Sequence, residues 1–132
     1  MLSHVFLGIA DFDRALDFYA KIMTGLGLKL KFCDATKGWA GWVSETSPRP
    51  IFVIGKPFDG KANSPGNGQM VALLAPSREI VRSSHATALA LGGTCEGAPG
   101  LRPHYHPDYY GAYFRDLDGN KLCVCCHDPV SG

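Results

Sequence analysis

The sequence predicts an α+β protein of two βαβββ modules, and three observations carry that prediction. The apolar period switches from two, to three-and-four, and back to two, in the same order in each half. A shift of 66 residues lays Val5 on Val71, Leu7 on Leu73 and Gly27 on Gly93, and an order of elements repeated at a fixed offset points to duplicated units. Between the halves lies "FDGKANSPGNGQ", residues 58–69, with three glycines, a proline and two asparagines. It has no apolar period, which is the composition of a linker. Module one is then 1–57 and module two 70–128. A single ferredoxin-like α+β domain with extra strands competes, but the length of 132 residues and the placing of the turns suit two equal modules better.

Each element has its own signal. "SHVFLGIA" at 3–10 is rich in β-branched and aromatic residues and reads as a strand. Asp11 is a good N-cap. After it Phe12, Ala15, Leu16, Tyr19, Ile22 and Met23 recur at spacings of three and four, the stripe of an amphipathic helix. Gly25 and Gly27 stop that helix. "LKLKFCD" at 28–34, "GWAGWVS" at 38–44 and "RPIFVIGKP" at 49–57 read as three strands. In the second half "MVALLA" at 70–75 is a strand, and Ser77 caps a helix that ends at Gly92 and Gly93. "GTCEGAP" at 93–99 is a weak strand. "YYGAYFRD" and "KLCVCCH" flank a hairpin turn at Asp118-Gly119. His85 sits in the second helix where Tyr19 sits in the first, and is expected to be partly buried there.

Bulk composition excludes some functions. Hydrophobic residues make up 45% of the chain, enough for a core. Thirteen basic residues against twelve acidic ones leave a net charge of +1. That balance gives no reason to expect a nucleic acid or a membrane surface as partner. No apolar run reaches the ~20 residues of a membrane span, and the opening residues lack the pattern of a signal peptide. A cytoplasmic protein is expected. The five cysteines, Cys33, Cys95, Cys123, Cys125 and Cys126, are odd in number and lack paired CxxC spacing. They read as reduced thiols, with the last three as apolar filling of the final strand.

The densest polar-aromatic run is "RPHYHPDYYGAYFRDLDGNK", 102–121. Pro103 and Pro107 stiffen it. If the segment is extended, His104 and His106 face the same side. They then present two imidazoles to one ligand or act as proton carriers, with Arg102 or Arg115 adding charge. A loop whose Tyr and His side chains satisfy one another is the competing reading. Tyr105, Tyr109, Tyr110 and Tyr113 supply an aromatic wall. Trp39 and Trp42 lie three apart, so on one strand they face opposite sides, and only one of them, taken as Trp42, can complete such a wall. His127 shares the face of Cys123 and Cys125 and is a minor candidate.

His4, Asp11, Ala15, Phe18, Tyr19, Leu26 and Gly27 in the first half, with "FRDLDGNKLCV" near the end, resemble the glyoxalase / bleomycin-resistance / ring-cleaving dioxygenase superfamily, the vicinal-oxygen-chelate proteins. The resemblance covers nearly the whole chain. It implies two modules whose sheets curl around a cleft with the helices outside, often completed in a homodimer. It also implies a small-molecule ligand.

In metal-dependent members four ligands face that cleft. Carried over by position they fall on His4, Val53, Met70 and Cys123. His4 matches, and Cys123 is a different but conceivable ligand. Val53 cannot ligate, and Met70 is too soft for such a site. The resemblance thus implies a divalent metal (Zn, Ni, Mn or Fe) but an incomplete ligand set, unless His104 or His106 joins His4 or Cys123. The implied activity is that of a lactoylglutathione-lyase-like lyase or isomerase with a degenerate metal site. The alternative is a non-catalytic small-molecule or antibiotic-binding protein.

Overall fold

A computed structural model describes residues 1–130. In order these form β1 (His4–Gly8), α1 (Phe12–Gly25), β2 (Lys29–Asp34), β3 (Trp39–Val43) and β4 (Ile51–Gly55). Then follow β5 (Val71–Leu74), α2 (Arg78–Ala90), β6 (Thr94–Leu101), β7 (Tyr110–Arg115) and β8 (Lys121–Cys126). The strands make two four-stranded mixed sheets, ordered β1-β4-β3-β2 and β5-β8-β7-β6. In each, the outer first strand runs parallel to its neighbour, the last strand, and the other pairs are antiparallel. The βαβββ order holds in both halves. The chain divides into two compact units, Met1–Pro65 and Gly66–Gly132, and the division falls inside the 58–69 stretch.

In the first unit, α1 begins where the Asp11 carboxylate accepts the Arg14 N–H at 3.1 Å. Its buried stripe is Ala15, Phe18, Tyr19, Ile22 and Met23, and it packs on β2 and β3. The Tyr19 ring lies 5.3 Å from that of Phe52 and 6.3 Å from that of Trp42. Burying an aromatic side chain of this kind stabilises by about 1.5–3 kcal/mol. Side chains alternate along a strand, so Ala40, Trp42, Phe52 and Ile54 share the helix-covered face, and Trp39, Gly41, Ile51, Val53 and Gly55 share the other.

In the second unit the Ser77 hydroxyl accepts the Ile80 N–H at 3.2 Å. From there α2 lays Val81, Ser84, His85 and Ala88 over β6, β7 and β8. Ala112, Phe114, Leu122, Val124 and Cys126 fill the face beneath it. All five cysteines are free thiols, with Cys123, Cys125 and Cys126 buried and Cys33 and Cys95 exposed. Asp116 ties the β7–β8 hairpin: its carboxylate accepts from the Asp118 and Asn120 backbone N–H groups and from the Asn120 side-chain amide, each at 2.9 Å. The Asp-Leu-Asp-Gly-Asn run is therefore a turn device. Among the described residues no helix is long and apolar enough to cross a membrane.

Candidate functional site

On the first sheet, the face away from α1 has two different ends. At one end Phe32 packs against buried Val43, Ile51 and Val53. At the other lies a hollow of about 510 Å³ lined by His4, Phe6, Trp39, Lys56, Phe58 and Asn63 among others. Two strand glycines make room for it. Gly8 and Gly55 are paired across β1 and β4, and Trp39 pairs with Gly55 across β3. A Cβ on Gly55 would stand 3.0 Å from the Phe6 ring and 3.1 Å from the Trp39 Cβ, and one on Gly8 would run into the Asn63 side chain. The missing side chains let the rings and the 57–63 segment close over the strands. That segment is held in place by bonds from Gly60 N–H to the Pro57 carbonyl and from Lys61 N–H to the Asp59 carboxylate, both at 2.9 Å. The expected linker is thus in part a wall of the hollow.

His4 is exposed, with its Nδ1 2.9 Å from the Ser3 hydroxyl. Lys37 Nζ stands 5.1 Å from the Trp39 ring centre, and Lys56 lines the hollow. The surface is aromatic with cations near it. Trp42 does not contribute: it is 3% exposed and lies under α1. Alternation correctly separates the two tryptophans, but α1 covers the face that carries Trp42, so Trp39 is the ring that lines the hollow.

The 102–121 run divides in the second unit. The stretch after Leu101 is not extended but turns, with Tyr105 N–H donating to the Arg102 carbonyl at 2.9 Å and Tyr109 N–H to His106 at 3.2 Å. The expected side-by-side placement of His104 and His106 fails for that reason. His104 lies tilted against the exposed Tyr105 ring, centres 4.3 Å apart, while His106 pairs with His127, Nε2 to Nδ1, at 2.8 Å. Tyr110 is also elsewhere: it faces α2, where its hydroxyl accepts from Arg82 at 3.3 Å and Arg78 stands over its ring. Arg115 is engaged with Glu96 and with the Gly119 carbonyl.

Tyr109 and Tyr113 do converge. Tyr109 Oη lies 3.1 Å from Tyr113 Oη and 3.4 Å from Cys123 Sγ. Cys123 and Cys125 share this face of β8, and His127 Nε2 lies 3.6 Å from Cys125 Sγ. Hydrogen bonding from Cys125 outweighs burial and, with donation from the Tyr109 and Tyr113 hydroxyls and the positive field of Arg102, brings the Cys123 thiol down to about 7. The same bond and burial push Cys125 up. Burial, then the bond to Cys123, pushes Tyr109 up, and burial raises Tyr113. His127 was legible as a neighbour of the two thiols, but its pairing with His106 had no signal in the sequence.

The four positions at which the family would hold a divalent metal do not fit one. His4 offers an imidazole, but Val53 is inside an apolar cluster, Met70 offers only an exposed thioether, and Cys123 is a buried thiol bonded to phenols. Hard and borderline divalent ions need carboxylate, imidazole or water ligands in number. Among the described residues no three His, Cys, Asp or Glu side chains gather as a metal-binding group.

Comparison with known proteins places the chain. The family model of the Glyoxalase/Bleomycin resistance protein/Dioxygenase superfamily matches residues 1–124. A glyoxalase/bleomycin resistance protein from Albidiferax ferrireducens T118 is 35% identical, with a TM-score of 0.85 over 96% of this chain and 98% of that one. A hypothetical protein from S. aureus (20% identical, TM-score 0.69, covering 96% and 92%) shares the fold. So does a glyoxalase-related enzyme from Fulvimarina pelagi (18% identical, TM-score 0.71, covering 100% and 93%). No match was found among curated proteins. With two βαβββ units and a family match over nearly its whole length, the chain belongs to the Glyoxalase/Bleomycin resistance protein/Dioxygenase superfamily.

Proposed function

We propose that this protein binds a small, flat, apolar molecule carrying an anionic group, and does so without divalent-metal lyase chemistry. The observation that carries this reading is the hollow of about 510 Å³ on the first sheet, with Phe6, Trp39 and Phe58 as ring surfaces and His4 and Lys56 as polar groups. Its volume falls in the range of about 300–1,000 Å³ usual for ligand sites, and such sites pair apolar walls with a few placed polar groups. An aromatic ring stacks on Trp39, and its carboxylate meets the ammonium of Lys56. The near-neutral net charge of +1 gives no general field for a strongly cationic drug, so a compact aromatic acid is the better ligand class. The ligand set at His4, Val53, Met70 and Cys123 supports a non-metal role.

The test is titration of the full chain with a panel of benzoate- and indole-carboxylate-class compounds, followed by tryptophan emission. The expected result is a saturable change that disappears in Trp39→Phe, since Trp42 is buried away from the hollow. Lys56→Gln should weaken binding roughly two- to fivefold, the range that an exposed ion pair provides. A flat titration across the panel, or an unchanged response in Trp39→Phe, would sink the reading. Metal-dependent conversion of a hemithioacetal would favour the lyase instead.

A further inference from the structure

A nucleophile and a base meet at the margin of the second sheet, in the unit that this reading does not use. β6 is the outermost strand of that sheet. Cys95 lies on it in register with Phe114 of β7, which is buried beneath α2. The Cys95 side chain therefore points to the helix side, but at the sheet edge, and its thiol is exposed. From α2 the buried His85 brings Nε2 to 3.3 Å from Cys95 Sγ.

Gly93 draws the two elements together. A Cβ there would stand 2.8 Å from the carbonyl oxygens of Ala88 on α2 and of Arg115 on β7, which leaves no room for a side chain. Its N–H instead donates to the Ala88 carbonyl at 2.8 Å. The end of α2 thus closes on the start of β6, and His85 reaches the residue two places beyond the glycine.

The imidazole is placed as a base. Burial lowers its pKa, so it is neutral at pH 7. A neutral ring with its proton on Nδ1 offers the Nε2 lone pair to the S–H. Charged groups on the elements packed here are engaged elsewhere. Glu96 of β6 is bound by Arg115 of β7. Arg78 and Arg82 of α2 stand over the Tyr110 ring, and Lys121 of β8 over that of Tyr113. Glu79 lies in the first turn of α2. Cys33, also exposed, is a built-in contrast: neither β2 nor its partner β3 carries a histidine.

We propose that Cys95 is a modification site for α,β-unsaturated carbonyl compounds, with His85 as its proton acceptor. The thiol gives its proton to His85 Nε2 as the sulfur attacks the β-carbon. A C–S bond forms, the π pair of the C=C bond moves toward the carbonyl oxygen, and an enolate results. The imidazolium then returns the proton to the α-carbon. S–H has been added across the double bond, and no oxidant or reductant takes part. Burial serves both halves of this transfer, because the neutral ring is free to accept and the buried imidazolium gives its proton up readily. The setting favours an uncharged electrophile, since Arg115, the cation in register with Thr94, is already held by Glu96.

The experiment uses the native full chain, with acrylamide as the probe and Cys33 as the internal reference. Peptide mass spectrometry follows the adduct on each cysteine with time, at pH 7 and at pH 10, where exposed thiols ionise without a base. Circular dichroism checks folding at both. At pH 7 Cys95 should react several-fold faster than Cys33, and the ratio should fall at pH 10. In His85→Gln the Cys95 rate should drop close to that of Cys33 at pH 7 and match the wild type at pH 10. If that variant does not fold, the fall of the ratio in the wild-type protein decides the matter by itself. Cys95 reacting no faster than Cys33 at pH 7, or a ratio that persists at pH 10, would overturn the proposal. So would an unchanged Cys95 rate in folded His85→Gln. A loss in that variant as large at pH 10 as at pH 7 would also overturn it, because His85 would then be a packing residue and not a base.

Discussion

At the scale of the residue, His85 shows how one helix position ties stability to pH. It is 7% exposed on the sheet-facing side of α2, with Nε2 3.3 Å from Cys95 Sγ. Burial penalises the charged imidazole and lowers its pKa below the ordinary 6.5. The unfolded chain therefore binds a proton at His85 before the folded one does. Stability is full above about pH 6.5 and falls as the pH drops from there through the lowered folded value. Urea unfolding of the wild type should give a lower midpoint at pH 5.5 than at pH 7.5, and His85→Gln should flatten that difference. An equal pH response in both proteins would show that other groups set it. Burial of His85, expected to be partial, was legible from its place at the helix position equivalent to Tyr19. The thiol beside it was not, because Cys95 lies on a strand whose register only the fold sets.

At the scale of the element, glycines inside strands matter more than their propensity suggests. A strand glycine ordinarily weakens its strand. Gly55 instead sits beneath the Phe6 ring and beside Trp39. Gly55→Ala should destabilise the protein by roughly 1–3 kcal/mol through overpacking. It should also reduce binding in the first-sheet hollow by pushing the two rings apart, read by calorimetry alongside the Trp39 emission change. Unaltered stability and binding would mean that the rings shift freely and that the glycine is incidental. The two tryptophans make a related point. Their odd separation in "GWAGWVS" was enough to put them on opposite faces. It could not say which face α1 covers, because a period of two has no phase until the helix is placed.

At the scale of the whole molecule, both halves carry positions that the family uses for metal, so the metal question belongs here. Purified protein without a tag, exposed equally to Zn, Ni, Mn and Fe(II) and then desalted, should hold well under one metal ion per chain by mass spectrometry. His4→Ala should hold the same. Near-stoichiometric metal that His4→Ala abolishes would overturn the non-metal reading and make His4 the anchor of an unusual site. Val53 makes the sub-stoichiometric outcome the expected one. It is a packing residue between Val43, Ile51 and Phe32, and a carboxylate there would be buried away from water at a cost of several kcal/mol.

The sequence by itself determined the element order, the helix caps at Asp11 and Ser77, the hairpin at Asp118-Gly119 and the family. All of these rest on interactions within a few residues or on a pattern repeated along the chain. It also marked Tyr109, Tyr113, Cys123 and His127 as chemically rich. Only the tertiary structure decided which of those side chains meet. Turns after Leu101 separate His104 from His106, register sets Tyr113 against Cys123, and α1 takes Trp42 into the core while leaving Trp39 beside the hollow. Contacts of this kind join residues far apart in the chain. They depend on register, sheet phase and turn geometry, and local spacing carries none of the three.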